Sequence, residues 1–283
     1  MYFKSPSKNT NPNIQKNSGY SQVDFLQKIV FTLPKEKQLL INLQFSNSSN
    51  IPRFDKLNEM AKNKLRFAEW NYGPQKRLLI SPQLKIFPKK KYLYKGTFIA
   101  AYQWVKESRI QRRFQSLERV SQNENVNIFS LNADFEMPKT KKTSVVYGFE
   151  FVGNRIKSDA FREKLSVLGN TITETQFLGK FPSRYPNNGS SYFVAAAYSN
   201  FRLDLNSKSS VSFGTRYTST KIKANWTNEP FLKSRSLKLR TINNALTGSI
   251  SSSYRPNKNV KMNILYSTGF RSPNIDDIGK IRE

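Results

Sequence analysis

The sequence predicts an all-β chain, an antiparallel up-and-down transmembrane β-barrel, here about ten strands of a larger barrel that stays open. Three observations predict it. Ten stretches alternate apolar with polar residues, so each strand sends one oily and one mostly wet set of side chains to its two faces. The links between stretches alternate in length: short turns at one end, and at the other links of roughly ten to thirty residues, the connection pattern of outer-membrane-type barrels. Finally, no run approaches the roughly 20 apolar residues that a spanning helix needs. A hydrophobic content of 37% and a mean hydropathy of −0.62 therefore exclude a helical membrane protein. They do not exclude a barrel, whose strands are apolar only at alternate positions.

The elements follow in order. The first strand spans about Tyr20 to Leu33, with Val23, Phe25, Ile29 and Phe31 on a face interrupted by Gln27. The second, Gln38 to Ser48, is the cleanest alternation: Leu39, Ile41, Leu43 and Phe45 against Leu40, Asn42, Gln44 and Ser46. The third covers about Arg77 to Phe87, with an upstream extension through Trp70 and Tyr72; Pro82 within it cannot donate to a ladder and reads as a bulge or a register fault. The fourth carries Tyr92, Tyr94, Phe98, Ala100, Tyr102 and Trp104 on one face. From the tyrosine pair to Tyr102 and Trp104 is about ten residues, or roughly 33 Å of strand, which rises roughly 25 Å at a tilt of about 40°: the height of an apolar band between two aromatic girdles. Strands five to ten lie near Asn123–Met137, Thr143–Arg155, Ser191–Asp204, Ser209–Lys223, Leu246–Tyr254 and Val260–Thr268. The short turns are Pro34 to Lys37, Pro88 to Lys91, Pro138 to Lys142, Leu205 to Lys208 and Arg255 to Lys258. The polar second faces suit a wet lumen rather than a sandwich core.

Orientation follows from the turns. Strand one ends at a short, periplasmic turn, which makes residues 1–19 the tail of an extracellular loop and 269–283 an extracellular segment. Met1 opens a polar stretch without the apolar region of a secretory signal, so it is expected not to be the natural beginning. The chain is expected to start and stop in mid-barrel.

The net charge of +28 is spread over turns and links rather than gathered in one stripe, where lysines meet anionic head groups. A soluble basic β protein binding nucleic acid is the least favoured reading, and no nucleic-acid partner is expected. Cysteine and histidine are both absent, which removes thiol chemistry, the commonest metal ligand and the commonest general base. Catalytic and metal sites are expected to be none, the chain not an enzyme, and cofactors none. A complete ten-stranded barrel acting as an adhesin or pore is the second reading.

Several segments carry a resemblance. Ser267-Thr268-Gly269-Phe270-Arg271-Ser272-Pro273-Asn274-Ile275-Asp276-Asp277 resembles the tGFRaPn-(x)-D(D/E) segment of TonB-dependent outer-membrane receptors. Ser49 to Leu57, Trp70 to Leu79, Tyr102-Gln103 with Glu107-Ser108-Arg109, and Ser183-Arg184-Tyr185-Pro186 with Gly189-Ser190-Ser191 are similar to that family's barrel domain. The resemblance implies a barrel of about 22 strands around a plug. It also implies import of a scarce ligand (siderophore-iron, haem, cobalamin or similar) and coupling to the TonB system through the plug, which this sequence does not contain. Haem receptors of the family place a histidine near the Phe-Arg-x-Pro segment, and that feature does not carry over here. Expected partners are outer-membrane lipid and lipopolysaccharide, the TonB energy-coupling system, and a small-molecule or protein-borne ligand.

Candidate ligand-binding residues are Arg109, Arg112 and Arg113 in the loop after strand four, together with Arg271, because guanidinium forks suit carboxylates. The alternative for these arginines is contact with lipopolysaccharide phosphates or loop acids. The motif residues are Phe270, Arg271, Ser272, Pro273 and Asn274. Their structural reading is a proline-set turn, with Arg271 paired to an acid such as Asp276. Arg53 and Asp55 are expected to brace their own loop.

Overall fold

The structure, a computed structural model, describes residues 17–169, 171–229 and 236–279. Of the expected tail 1–19, residues 1–16 lie outside the described residues, as do residues 280–283 of the terminal segment.

In chain order the elements are β1 (Gln22–Leu33), β2 (Lys37–Ser48), β3 (Ile51–Pro52), α1 (Phe54–Leu57), β4 (Met60–Ala61), β5 (Lys64–Leu65), β6 (Phe67–Tyr72) and β7 (Lys76–Ile86). Then come β8 (Lys95–Arg113), β9 (Glu118–Glu136), β10 (Thr143–Leu168), β11 (Thr171–Lys180), β12 (Ser190–Asp204), β13 (Ser209–Thr227), β14 (Ser236–Tyr254), β15 (Met262–Ser267) and α2 (Ile275–Gly279). One antiparallel sheet follows the path β1-β2-β7-β8-β9-β10-β12-β13-β14-β15, so the ten expected wall strands are the ten on this path. Strands β3, β6 and β11 attach beside it. No helix among the described residues is long and apolar enough to cross a membrane.

Register explains why this sequence makes a wall with two different faces. Reading across neighbouring strands, Phe31, Leu39, Leu84, Phe98, Ala133, Phe149, Ala197, Tyr217 and Leu246 form one continuous row. The adjacent row is Thr32, Gln38, Lys85, Thr97, Asp134, Gly148, Tyr198, Arg216 and Thr247. A slip of one residue in any strand would exchange these sets, so hydrophobic burial in lipid fixes the register. In the isolated chain Phe31, Phe98, Phe149, Tyr217 and Leu246 of the first row are exposed, Leu246 at 75% and Phe149 at 47%, and the smaller or flanked Leu39, Leu84, Ala133 and Ala197 are half-buried among them, as a lipid-facing surface allows. The second row is tied by polar contacts: Tyr198 donates to Asp134, and Arg216 meets Glu150 at 2.9 Å.

The upper girdle is built as expected from Tyr102 and Trp104. Their polar tips donate to Asn127 Oδ1 (2.7 Å) and Asn125 Oδ1 (2.8 Å), leaving the rings in the apolar zone. Tyr92 and Tyr94 are not on the strand. They sit in the connection before Lys95, where the Tyr92 carbonyl accepts from the Tyr147 hydroxyl at 3.2 Å.

Three other expectations change. Pro82 produces neither bulge nor register fault: β7 pairs β2 through it (Ile41↔Pro82), and β8 in the same register on both sides, with pairs omitted only at Ser81 and Pro82. Trp70 and Tyr72 do not extend the third strand. They lie on β6, which pairs β8 above β7, and the break falls at Gly73, whose φ of +111° suits only glycine. A side chain there would also meet the Ser49 carbonyl oxygen at 2.9 Å. Finally, the strands do not stop where the oily alternation stops. β8, β9, β10, β13 and β14 run well beyond the band, and the link between β8 and β9 is only Phe114 to Leu117. Outside the bilayer the ladder needs no apolar face, so its continuation is invisible to hydropathy.

Candidate ligand-binding cleft

Above the band, on the luminal face, the wall and its loops enclose a cleft of about 840 Å³. Its floor is the upward continuation of the polar rows. The register of β8 on β9 is unbroken from Lys95↔Glu136 to Arg112↔Arg119. Arg109, Gln111 and Arg113 therefore share the face of Thr97, while Arg112 shares the face of Phe98. Arg109 and Arg113 line the cleft, joined by Arg162 from β10, whose cross-strand partner Val120 also pairs Gln111.

The expected loop location of Arg109, Arg112 and Arg113 is thus corrected: all three lie on β8. Arg112 is buried at 1% exposure and belongs to a cross-strand row Glu69–Arg112–Arg119–Glu163 on the other face. Glu69 accepts from Arg112 at 2.8 Å and lies 3.7 Å from Arg119, which also meets Glu163 at 2.6 Å. This row clamps four strands together, and Arg112 does not line the cleft.

One wall comes from the loop between β2 and β7. Leu57, Phe67 and Trp70 form a small buried cluster with Tyr72 packed against it. Arg53 stacks over Trp70 at 4.7 Å, donates to the Tyr72 hydroxyl at 3.0 Å and pairs with Asp55, bracing its loop as expected. The loop presents Phe67, Trp70, Lys56 and Arg66 to the cleft, with both cations held by Glu59.

The other wall is the segment after β11. Glu107 and Glu124 are direct cross-strand neighbours on the luminal face, an arrangement that repels by itself. Arg184 lies between them, 3.3 Å from Glu107 and 3.2 Å from Glu124. Burial opposes the Arg184 charge, but Glu124, Tyr185 and Glu107 together hold the guanidinium above its ordinary value. Ser183 donates to Glu229, and Gln122 donates to the Pro182 carbonyl at 3.3 Å.

The terminal motif joins this wall. Ser272 bonds Thr220 Oγ1 at 2.7 Å and accepts from Asn243 at 3.3 Å, both on the luminal side. Asn274 caps α2 reciprocally: Asp277 N–H donates to Asn274 Oδ1 and Asn274 N–H to Asp277 Oδ2, each at 3.0 Å, the geometry of a capping box. Arg271 pairs with Asp277 at 2.7 Å rather than with Asp276. Asp276 instead accepts from Tyr185, whose hydroxyl is pushed well above the usual phenol range by burial and by this carboxylate. The motif residues Phe270 to Asn274 thus form a strand-top turn and helix cap, and Arg271 does not line the cleft.

Arg109, Arg113 and Arg162 form no direct ion pair among the described residues, although the Arg109 charge acts on the buried Glu124 carboxylate and Glu118 also lines the cleft. Arg109 faces the Tyr72 ring at 5.5 Å, and its Nε is buried without a hydrogen-bond partner. An orphan donor of this kind beside a cleft is a place where a ligand acceptor fits. The surrounding aromatics and guanidinium forks favour a flat or branched anion. Arg162, Arg184 and the Phe67–Trp70 wall are not evident in the sequence as site residues, because their convergence depends on the strand extensions.

A membrane-spanning barrel wall with loops folded over one mouth defines an outer-membrane protein. The chain belongs to the outer membrane protein β-barrel family, whose model matches residues 92–283. No characterised protein sequence matches it. Among solved structures it is similar to the copper transporter OprC (TM-score 0.67, 8% identity, 91% of this chain and 38% of that one). It is also similar to the siderophore receptor PiuA from Acinetobacter baumannii (0.61, 11%, 90% and 43%). A third is the Serratia marcescens hemophore receptor HasR, solved with its hemophore HasA and heme (0.60, 13%, 91% and 37%). The chain spans about two fifths of the length of these structures. The likeness shows the fold, an open antiparallel barrel wall like part of the walls of these proteins, and the family places it in the outer membrane.

Proposed function

We propose that the chain supplies wall and extracellular mouth of a receptor that brings a scarce anionic ligand, such as a carboxylate-bearing metal chelate, through the outer membrane. One observation carries the reading: three arginines that form no direct ion pair among the described residues converge on a luminal cleft where the cations Lys56, Arg66, Arg109, Arg113, Arg162 and Arg184 outnumber the one acid, Glu118. The cleft volume, about 840 Å³, is within the usual range for small-molecule sites, roughly 300–1,000 Å³. Support for transport comes from the fold, shared with proteins described as copper, siderophore and hemophore receptors or transporters. In this reading Arg109, Arg113 and Arg162 capture the anion against the wall that Phe67 and Trp70 anchor, and a plug rearrangement driven through the TonB system releases it inward.

The test is calorimetric titration of the intact receptor with ferric chelates of graded charge. Anionic, carboxylate-bearing chelates are expected to bind, and neutral and cationic ones to bind at least about tenfold more weakly, since a charge-assisted hydrogen bond contributes about 1.5–3 kcal/mol. The R109S/R113S/R162S variant is expected to lose this preference. Equal affinity for all charges, or an unchanged variant, would overturn the proposal.

A further inference from the structure

A second basic cleft lies at the short-turn, periplasmic end of the wall, opposite the end that carries Arg109, Arg113 and Arg162. Its volume is about 530 Å³. It sits between three neighbouring turns: Lys141–Lys142 before β10, Leu205–Lys208 between β12 and β13, and Arg255 after β14, with Lys261 before β15 at one side. Parity sets its floor. Arg202 and Asp204 on β12, Ser210 on β13 and Ser253 on β14 share the luminal face of Tyr198, Arg216 and Thr247.

Backbone bonds weld the three turns together. The Asp204 N–H donates to the Lys142 carbonyl at 2.7 Å, and the Arg255 N–H donates to the Lys208 carbonyl at 2.8 Å. The middle turn is fixed from within, where Asn206 Oδ1 accepts from the N–H groups of Lys208 and Ser209, each at 2.8 Å, as turn asparagines do. The stems of Lys142, Lys208 and Arg255 thus leave anchored points of backbone. Six cations border the cleft, Lys141, Lys142, Arg202, Lys208, Arg255 and Lys261, against one acid, Asp204, which Arg202 holds at 2.9 Å. The other five form no ion pair among the described residues. Elsewhere along the same end cations are matched: Lys89 meets Glu36 at 2.6 Å, and Lys95 meets Glu136 at 2.5 Å.

Uncompensated cations over a floor of serine hydroxyls suit an oxyanion, and the width of the row selects its kind. From Lys142 at the foot of β10 to Arg255 at the foot of β14 are three strand spacings of about 4.8 Å, roughly 14 Å. That is wider than one phosphate spans and fits a molecule whose carboxylates are set apart. The way down to it is polar. Thr247, Ser249, Ser251 and Ser253 follow one another on the luminal face of β14, with Ser212 and Ser210 opposite on β13. Upward the same face reaches Thr220 and Asn243, which hold Ser272 of the terminal motif. Neither strand contains an acid that would repel an anion on this track.

We propose that the cleft bordered by Lys142, Lys208 and Arg255 is a second anion site, at the periplasmic mouth of the lumen, where the polycarboxylate captured above is held before it leaves. This site extends the role given to Arg109, Arg113 and Arg162 and rests on it. Its cations are exposed, and exposed pairs contribute less than desolvated ones, so it fills after the upper cleft.

The test is calorimetric titration of the intact receptor with an anionic ferric carboxylate chelate, with tricarballylate and acetate as metal-free probes. The wild type is expected to bind one tight and one weak equivalent of the chelate. The K142S/K208S/R255S variant keeps the backbone welds and is expected to lose only the weak equivalent. The R109S/R113S/R162S variant is expected to lose only the tight one. In that upper-cleft variant tricarballylate is expected to bind about fivefold more tightly than acetate, since it makes two further exposed pairs. The K35S/K90S/K91S variant, with equal charge removed from turns outside the cleft, is expected to keep both equivalents. Heat-modifiable mobility verifies folding, and K142S/K208S, expected to weaken the lower site about fivefold, serves if the threefold variant does not fold. A wild type without the weak equivalent, or a weak equivalent that K142S/K208S/R255S leaves intact, would overturn the second site and leave the upper one standing. A tight equivalent lost in K142S/K208S/R255S but kept in R109S/R113S/R162S would overturn the upper reading instead. Equal loss in the K35S/K90S/K91S control, or equal binding of tricarballylate and acetate, would overturn the second site. So would displacement of the weak equivalent by an equal concentration of phosphatidylglycerol, since that would make the cleft a lipid site.

Discussion

Replacing Arg184 by alanine tests how the cleft wall is held. Arg184 bridges Glu107 and Glu124, and the Glu124 side chain is 1% exposed while that of Glu107 is 42% exposed. Removing one partner of a buried ion pair costs about 3–5 kcal/mol because the other charge is stranded. Glu107 keeps its water, so the lower end, about 3 kcal/mol, is expected here. That cost falls on the docking of the segment around Ser183 to Tyr185, where one decade of opening corresponds to about 1.4 kcal/mol. Hydrogen exchange of amides in 181–185 of the intact protein is therefore expected to accelerate about a hundredfold in R184A. Adding E124Q removes the stranded charge and is expected to restore most of the protection, a coupling of about 2 kcal/mol. If R184A exchanges like the wild type, or if E124Q fails to rescue it, the ion-pair account of the wall is wrong.

Two further predictions follow from the faces and the motif. Phe149→Arg puts a cation in the middle of the lipid-facing row and is expected to lower barrel stability by about 2–4 kcal/mol, whereas Thr247→Arg, on the luminal row, is expected to change it by less than about 1 kcal/mol; denaturant unfolding in lipid bilayers reads both. At the α2 cap, the Asn274 backbone N–H and then Arg271 hold the Asp277 carboxyl below the usual carboxylate range. A folded-state value below the unfolded one means that the cap contributes above about pH 4 and is lost as pH falls through the lowered value. Protection of the α2 amides relative to their intrinsic exchange rate is thus expected to fall on acidification in the wild type, and to be low and independent of pH in D277N.

The wall was legible because lipid forces an alternation that survives into the sequence: Leu39, Ile41, Leu43 and Phe45 name their own face. The ten-strand order and the short turns follow from that pattern. What was not legible lies above the bilayer, where Arg109, Gln111 and Arg113 alternate with Ile110 and Arg112 without any hydropathy signal. There a continuing strand looks like a polar loop, so parity, and with it the separation of Arg112 from Arg109 and Arg113, emerges only from the pairing with β9 and β6. The Arg184 bridge was hidden for another reason. Its partners are 77 and 60 positions away in sequence, and nothing local marks them. The terminal motif was half legible: a structural turn was expected, but the reciprocal Asn274–Asp277 cap assigns Asp277, not Asp276, to Arg271.

The central claim is that one face of this wall meets lipid and the other an aqueous lumen whose upper end binds an anion. The sequence has no cysteine, so single cysteines placed in the intact protein report without background. The decisive measurement scans 129–134 on β9 and 109–113 on β8 with a water-soluble thiol reagent in membranes. The account predicts labelling at 130, 132 and 134 but not at 129, 131 and 133. At 109, 111 and 113 it predicts labelling, blocked by a bound anionic chelate at 111, where the three capturing arginines are intact, while 110 and 112 stay indifferent to the chelate. Labelling without a two-residue period, or protection by the chelate at 110 and 112 instead, would contradict it.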